Sequence, residues 1–201
     1  MAIACIDMEG VLIPELWPCI ARATRIDALA LTTREEPDYG RLVAQRIQAL
    51  RVHGVPLAAL CELVADIPPL PGAREFLASL APRFRVVLVS DAFRQMLVPL
   101  WARLGQPELR CHQFTCDTDG YVHSAQWVRR RGKHEVIEEF AARGQATLAV
   151  GDAFNDLSML RSATLGYLFR PSPATRHAAA DVLVADQYAD ILRGAADPRF
   201  D

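Results

Sequence analysis

Ile3-Ala4-Cys5-Ile6-Asp7-Met8-Glu9-Gly10-Val11-Leu12 is the stretch on which the fold turns. Its four leading apolar residues read as a short buried strand of a parallel sheet. Asp7 and Glu9 then stand at the C-terminal end, where a buried strand presents carboxylates without stranding them in the core. Ligands of open α/β sheets collect at that edge. Two acids two residues apart ahead of a glycine make a plausible cation and phosphoryl site. Taken alone, they are equally the solvated acids of an ordinary turn.

Outward from this turn the apolar period becomes helical. Residues 13–31 read as a helix whose start is confined by Pro14 and Pro18, since proline is tolerated only in a first turn. After a break at 32–38, Asp38 caps a helix over 39–53 that Gly54 closes, with Leu42, Val43, Ile47 and Leu50 on one stripe. Arg46 falls on that stripe, where it either snorkels to solvent or reaches a ligand carboxylate. A short helix over 56–65 and a proline-rich hinge over 67–72 complete an all-helical block, 14–72, inserted directly after the first strand.

Helix and strand then alternate. The pattern gives a helix over 73–80, an apolar strand over 84–89 ending at Ser90 and Asp91, and a helix over 93–104, kinked or restarted near Pro99. Residues 109–127 differ: two extended pieces flank Asp119-Gly120, a hairpin signal. Lys133 opens a helix that Gly144 stops. A strand over 147–150 runs into Gly151 and Asp152, followed by a helix over 157–161, a strand over 165–169, a helix over 175–180, a strand over 182–184 and an amphipathic tail from 188 that frays. This order implies an α/β, three-layer, Rossmann-like parallel-sheet core from 1–13 and 73–201, with the helical cap 14–72 and the β-hairpin 109–127 as insertions.

Composition narrows the class. The chain has 201 residues, of which 51% are hydrophobic and 23% charged, with a formal net charge of -2, enough for one substantial core and an inserted lobe. The basic run at 129–131 stands alone in a slightly acidic chain, so no nucleic-acid partner is expected. An apolar stretch of about 20 residues is absent, as is a basic segment before the first apolar run; the expectation is a cytoplasmic protein with no membrane span or secretory signal. Five scattered cysteines fit reduced thiols. Cys111, His112 and Cys116 cluster without the second pair that a zinc site needs. Lys133 is the only lysine, a compact point charge suited to phosphate among residues that are otherwise arginine.

Three strand ends carry chemistry: Asp7 with Glu9, Ser90, and Asp152 with Asn155 and Asp156. Read singly, Ser90 could cap the next helix and Asp152 could occupy a turn. A parallel sheet brings all three ends into one crevice. There Asp7 could attack a phosphoryl group while a second acid moves the leaving-group proton. A Mg²⁺ ion between Asp7 and Asp152 would offset repulsion from phosphate, and Ser90 and Lys133 could hold the remaining phosphoryl oxygens.

In order and spacing, residues 7–12, Ser90, Lys133 and residues 151–156 resemble the four motifs of the haloacid dehalogenase-like phosphatases, over nearly the whole chain. The resemblance is greatest to the phosphoserine phosphatase branch, on the side of bifunctional members that also pass phosphate to homoserine. It implies a HAD-type core with a small helical cap, phosphoserine as substrate, homoserine as a second acceptor, and Asp7 as the nucleophile that becomes an aspartyl phosphate. Glu9 would be the general acid and base. Mg²⁺ would be bound by the Asp7 and Asp152 side chains and the Glu9 backbone carbonyl. Ser90 and Lys133 would bind phosphate, Asp156 would support the lysine and the metal, and Asn155 would contact substrate or phosphate. Glu15 would receive the substrate ammonium and Arg46 its carboxylate. An exposed apolar face on the cap would favour a homodimer. The alternatives are a phosphatase for another small phosphorylated metabolite and a catalytically idle binding or regulatory relative. Two departures stand out: Glu9 where most relatives have aspartate, and Asp91-Ala92 where ordinary phosphoserine phosphatases have two glycines.

Overall fold

The computed structural model describes residues 1–32, 35–36 and 38–201. Its strands are β1 (Ala2–Ile6), β2 (Phe84–Phe93), β3 (Glu108–Cys116), β4 (Val122–Gln126), β5 (Thr147–Gly151), β6 (Leu165–Phe169) and β7 (Leu183–Ala185). They form one sheet in the order β4-β3-β2-β1-β5-β6-β7, parallel throughout except for the antiparallel β3–β4 pair at one edge. β1 is buried along its length and lies between β2 and β5. The C-terminal ends of these three strands are therefore neighbours, which places Asp7, Ser90 and Asp152 at one edge.

Alternation along β1 divides the core. Ala2, Ala4 and Ile6 join one apolar cluster, while Ile3 and Cys5 join another on the opposite face. The helices of the inserted block are α1 (Leu16–Thr24), α2 (Tyr39–Val52) and α3 (Leu57–Ala65), and those of the sheet are α4 (Ala73–Leu80), α5 (Arg94–Arg103), α6 (His134–Ala141), α7 (Leu157–Ser162), α8 (Pro173–Ala178) and α9 (Tyr188–Gly194). Residues of α1, α2, α3, α4, α5 and α9 pack in the first cluster, and residues of α6 and α7 in the second. The inserted helices thus share one continuous apolar core with the sheet. No single described helix is long and apolar enough to cross a membrane.

Several expected boundaries move. The helix expected over 13–31 is α1 followed by a 3₁₀ turn at Asp27–Ala30, because Arg25 adopts a left-handed φ of 58° and ends α1. The expected break at 32–38 falls partly on residues 33, 34 and 37, which lie outside the described residues. Asp38 caps α2 as expected, accepting from Arg41 N–H. α5 runs through Pro99 without restarting. Proline has no N–H for the Gln95 carbonyl four residues back, and the Cys61 thiol donates to that carbonyl instead (3.3 Å). The tail does not fray after its amphipathic start: Tyr188 opens α9 and stacks on Phe76 and Phe169, and Phe200 is buried against Phe84 in a closing 3₁₀ turn. Aromatic area at the end of the chain outweighs terminal fraying.

Candidate active site

Beyond Ile6 the chain turns tightly. Leu12 and Ile13 N–H both donate to Met8 O, and Gly10 N–H donates to Ile13 O (2.8 Å). Gly10 has a φ of +76°, and a Cβ there would lie 2.3 Å from Asp152 Oδ2, so this loop rests directly on the Asp152 carboxylate. Asp7 is held buried at the strand end, where its Oδ1 accepts from Met8 N–H (2.7 Å) and from the Lys133 ammonium (2.6 Å).

Lys133 precedes α6 and is 1% exposed. Its Nζ lies 2.6 Å from both Asp7 Oδ1 and Asp156 Oδ1, and 4.0 Å from Asp91 Oδ2. Burial alone would lower its pKa, but Asp156 and Asp7 outweigh burial and push it well above the ordinary lysine value. Asp156 is fully buried, and its Oδ2 accepts from Asp152 N–H (3.0 Å) and Ala153 N–H (3.1 Å). Both of its oxygens are spent holding the lysine and the loop after β5. Gly151 makes this packing possible, since a Cβ there would lie 2.4 Å from Asp156 Cβ.

Asp7, Asp152 and Asp156 place carboxylate oxygens within 4.8 Å of one another. Burial and then the Asp156 charge raise both other acids, Asp7 well above its ordinary value and Asp152 to about 7. Three acids sharing one lysine carry an excess of negative charge, and an all-oxygen donor set suits a hard divalent cation. With Asp156 engaged, Asp7 and Asp152 remain to hold it. Glu9 is half-buried and accepts at Oε1 from Leu16 N–H (2.8 Å), the first residue of α1. Burial and the nearby Glu15 charge push Glu9 up to about 7, in the range where a carboxyl exchanges protons near neutrality.

A cavity of about 1390 Å³ joins these groups, lined by every expected site residue except Asp156, which lies behind Lys133. Arg46 and Glu15 enter it from the inserted block. Arg46 is 5% exposed and does not snorkel: its guanidinium lies 4.5 Å over the Trp17 ring and its Nη2 donates to Leu31 O (2.6 Å). Arg46 Nε and Trp17 Nε1 are buried with no hydrogen-bond partner among the described residues.

The Asp91 departure beside Ser90 puts a carboxylate at the site, and the sequence does not show the partners it gathers there. The Asp91 carboxylate is surrounded by donors: Arg129 Nη2 (3.0 Å), Asn155 Nδ2 (3.1 Å), His112 Nε2 (3.7 Å) and Lys133. Burial would raise its pKa, but Lys133, His112, Arg129 and Asn155 outweigh that and hold it below the usual carboxylate range. Tyr39 OH, from α2, donates to Asp91 O (2.8 Å). His112 is turned toward Asp91, and its Nδ1 accepts from Val128 N–H (3.1 Å). Asp91 in place of a small residue was the available signal; Arg129 gave none, because a run of three arginines reads as a solvated surface.

A family model described as a haloacid dehalogenase-like hydrolase matches residues 1–164. Phosphoserine phosphatase ThrH of Pseudomonas aeruginosa is 42% identical over 169 residues, covering 84% of this chain and 82% of that protein. Phosphoserine phosphatase of Pseudomonas syringae pv. tomato is 41% identical over 167 residues, covering 83% of this chain and 70% of that protein. Among solved structures, a phospho-aspartyl intermediate analogue of phosphoserine phosphatase superposes with a TM-score of 0.78 at 20% identity, covering 96% of this chain and 98% of that one.

Proposed function

Because the chain belongs to the haloacid dehalogenase-like hydrolases, and within them to the phosphoserine phosphatase branch, we propose that it hydrolyses phosphoserine to serine and phosphate through an aspartyl phosphate on Asp7. The observation that carries the reading is the Lys133 bridge, 2.6 Å to Asp7 and 2.6 Å to Asp156, at the floor of a cavity that also holds Ser90 and Asp152. It sets a buried cation where phosphoryl charge would arrive.

Asp7 Oδ1 carries both of its donors, which leaves Oδ2 to attack phosphorus. The new Oδ2–P bond replaces the P–O bond to serine, whose oxygen takes a proton from Glu9. Glu9, then a carboxylate, takes a proton from the water that attacks phosphorus and frees Asp7. Ser90 and Lys133 hold phosphoryl oxygens, and Asp156 fixes the lysine. Asp7, Asp152 and the Glu9 backbone carbonyl would hold Mg²⁺, which supplies neutralising charge to the phosphoryl oxygens. Glu15 receives the substrate ammonium, Arg46 its carboxylate, and Asn155 contacts the bound substrate. In this reading residues 14–72 form the cap, 1–13 and 73–201 the catalytic core, and 109–127 a hairpin insertion that walls the cavity.

Glu9 supports a second reaction at the same site. It is one methylene longer than aspartate and tied to Leu16 N–H, a change of reach that would slow water attack enough for another hydroxyl acceptor such as homoserine to compete. The test is phosphate release from phosphoserine and a panel of sugar and nucleotide phosphates, with and without Mg²⁺ and with homoserine added. Phosphoserine should be preferred, Mg²⁺ should be required, and homoserine should divert phosphate into phosphohomoserine. Asp7→Asn should lower turnover about a thousandfold or more, roughly 4 kcal/mol of transition-state stabilisation. Brisk turnover of a sugar phosphate without turnover of phosphoserine would overturn the substrate, and retained activity in Asp7→Asn would overturn the nucleophile.

A further inference from the structure

β2 and β3 pair in register through Val89↔Arg110 and again at Phe93↔His112, with an irregularity between. Ser90, Asp91 and Ala92 of β2 therefore face only Cys111 of β3, a bulge that turns the strand end toward the cavity. Such a bulge leaves ladder carbonyls without strand partners. One side chain takes their place. Arg129, from the loop between β4 and α6, is 6% exposed and donates from Nη1 to Arg110 O (3.0 Å), from Nη2 to Ser90 O (2.5 Å), and again from Nη2 to Asp91 Oδ1 (3.0 Å). Asp91, fixed in this way, accepts from Asn155 Nδ2 through its other oxygen (3.1 Å). The Nε of Arg129 is buried with no hydrogen-bond partner among the described residues. A well-packed apolar side chain would serve stability as well as this partly satisfied buried charge.

We propose that Arg129 is a positioning residue for the phosphate site, holding the β2 bulge in the shape that presents Ser90 and, through Asp91, Asn155 to the substrate. The inference rests on the reading of Ser90 as a phosphate-binding residue. The planar fork is the reason for arginine, since one guanidinium meets a carbonyl on each strand and a carboxylate together, and a lysine ammonium cannot span them.

The test uses the full chain as Arg129→Met, Arg129→Lys, Ser90→Ala and the double variant Ser90→Ala with Arg129→Met. Both Arg129 variants should keep the circular dichroism spectrum. They should lose about tenfold or more in kcat/KM and weaken competitive inhibition by inorganic phosphate by a similar factor, alike for phosphoserine and an aryl phosphate. In the Ser90→Ala background Arg129→Met should cost clearly less than it does in the parent, because only the route through Asp91 and Asn155 is then left to lose. Arg129→Lys keeps a buried cation and supplies the measurement should Arg129→Met fail to fold. Unchanged phosphate inhibition in both Arg129 variants, or a full additional loss in the double variant, would overturn the inference alone. Unchanged phosphate inhibition in Ser90→Ala would overturn the Ser90 reading and this inference with it.

Discussion

The guanidinium of Arg46 sits over Trp17 at 4.5 Å with Nε unmatched, in the cavity that Lys133 and Asp7 also line. A buried cation of this kind favours an anionic group on the ligand, and a charge-assisted hydrogen bond of roughly 1.5–3 kcal/mol corresponds to about 10- to 150-fold in affinity. Arg46→Ala should therefore raise KM for phosphoserine by that factor and leave an aryl phosphate, which has no carboxylate, nearly unchanged. Steady-state kinetics on both substrates decide this, and equal losses would assign Arg46 to packing. Gly10 tests the support of Asp152. Alanine there must adopt a positive φ and push the Asp152 carboxylate away, and Asp152 moves more easily than the backbone. The cost should fall mainly on the metal: Gly10→Ala should need about tenfold more Mg²⁺ for half-maximal activity, with a smaller loss in thermal midpoint.

Among the elements, the short apolar strands and their acidic ends were legible because β1, β5 and the middle of β2 are buried on both faces, and burial leaves continuous hydrophobic runs. The β2 bulge was not legible: Ser90, Asp91 and Ala92 look like a strand running into a turn, and the carbonyls that Arg129 serves have no signature in the side chains. The apolar spacing continues past Arg25 into the 3₁₀ turn, so sequence pattern alone extends α1 beyond its true end. At the end of the chain the local pattern says too little, because its partners are far away in sequence. Tyr188 has ring centroids 4.6 Å from Phe76 and 4.7 Å from Phe169, and its hydroxyl donates to Val11 O (2.5 Å), in the loop that follows Asp7. Sequence distance hides a contact between residues 11 and 188. Tyr188→Ala should lower unfolding stability by about 3 kcal/mol and Tyr188→Phe by about 1 kcal/mol, read from urea denaturation. Equal effects would place the stabilisation in the hydroxyl and not in the stacked rings.

At the scale of the whole molecule the sheet concentrates charge at one edge, and the fold tolerates it only because Lys133 is buried among the acids. Asp7 and Asp152 are both raised by burial and by the Asp156 charge, so without a bound cation this edge carries repulsion that opposes folding. A divalent cation that binds the native chain and not the unfolded one adds stability by mass action, about 2.7 kcal/mol at a hundred times its dissociation constant. For a chain of this size that corresponds to a rise of roughly 5–10 °C in thermal midpoint. Mg²⁺ should therefore stabilise the protein in the absence of substrate, and EDTA should reverse the effect. Asp152→Asn removes one of the crowded charges and one of the oxygens that would hold the ion. Its metal-free form should melt at or above the midpoint of the metal-free parent, and added Mg²⁺ should no longer raise it. Differential scanning calorimetry on the two proteins, each with Mg²⁺ and with EDTA, checks both halves: a parent indifferent to Mg²⁺ would remove the cation from this edge, and a full Mg²⁺ response in Asp152→Asn would move it away from Asp152.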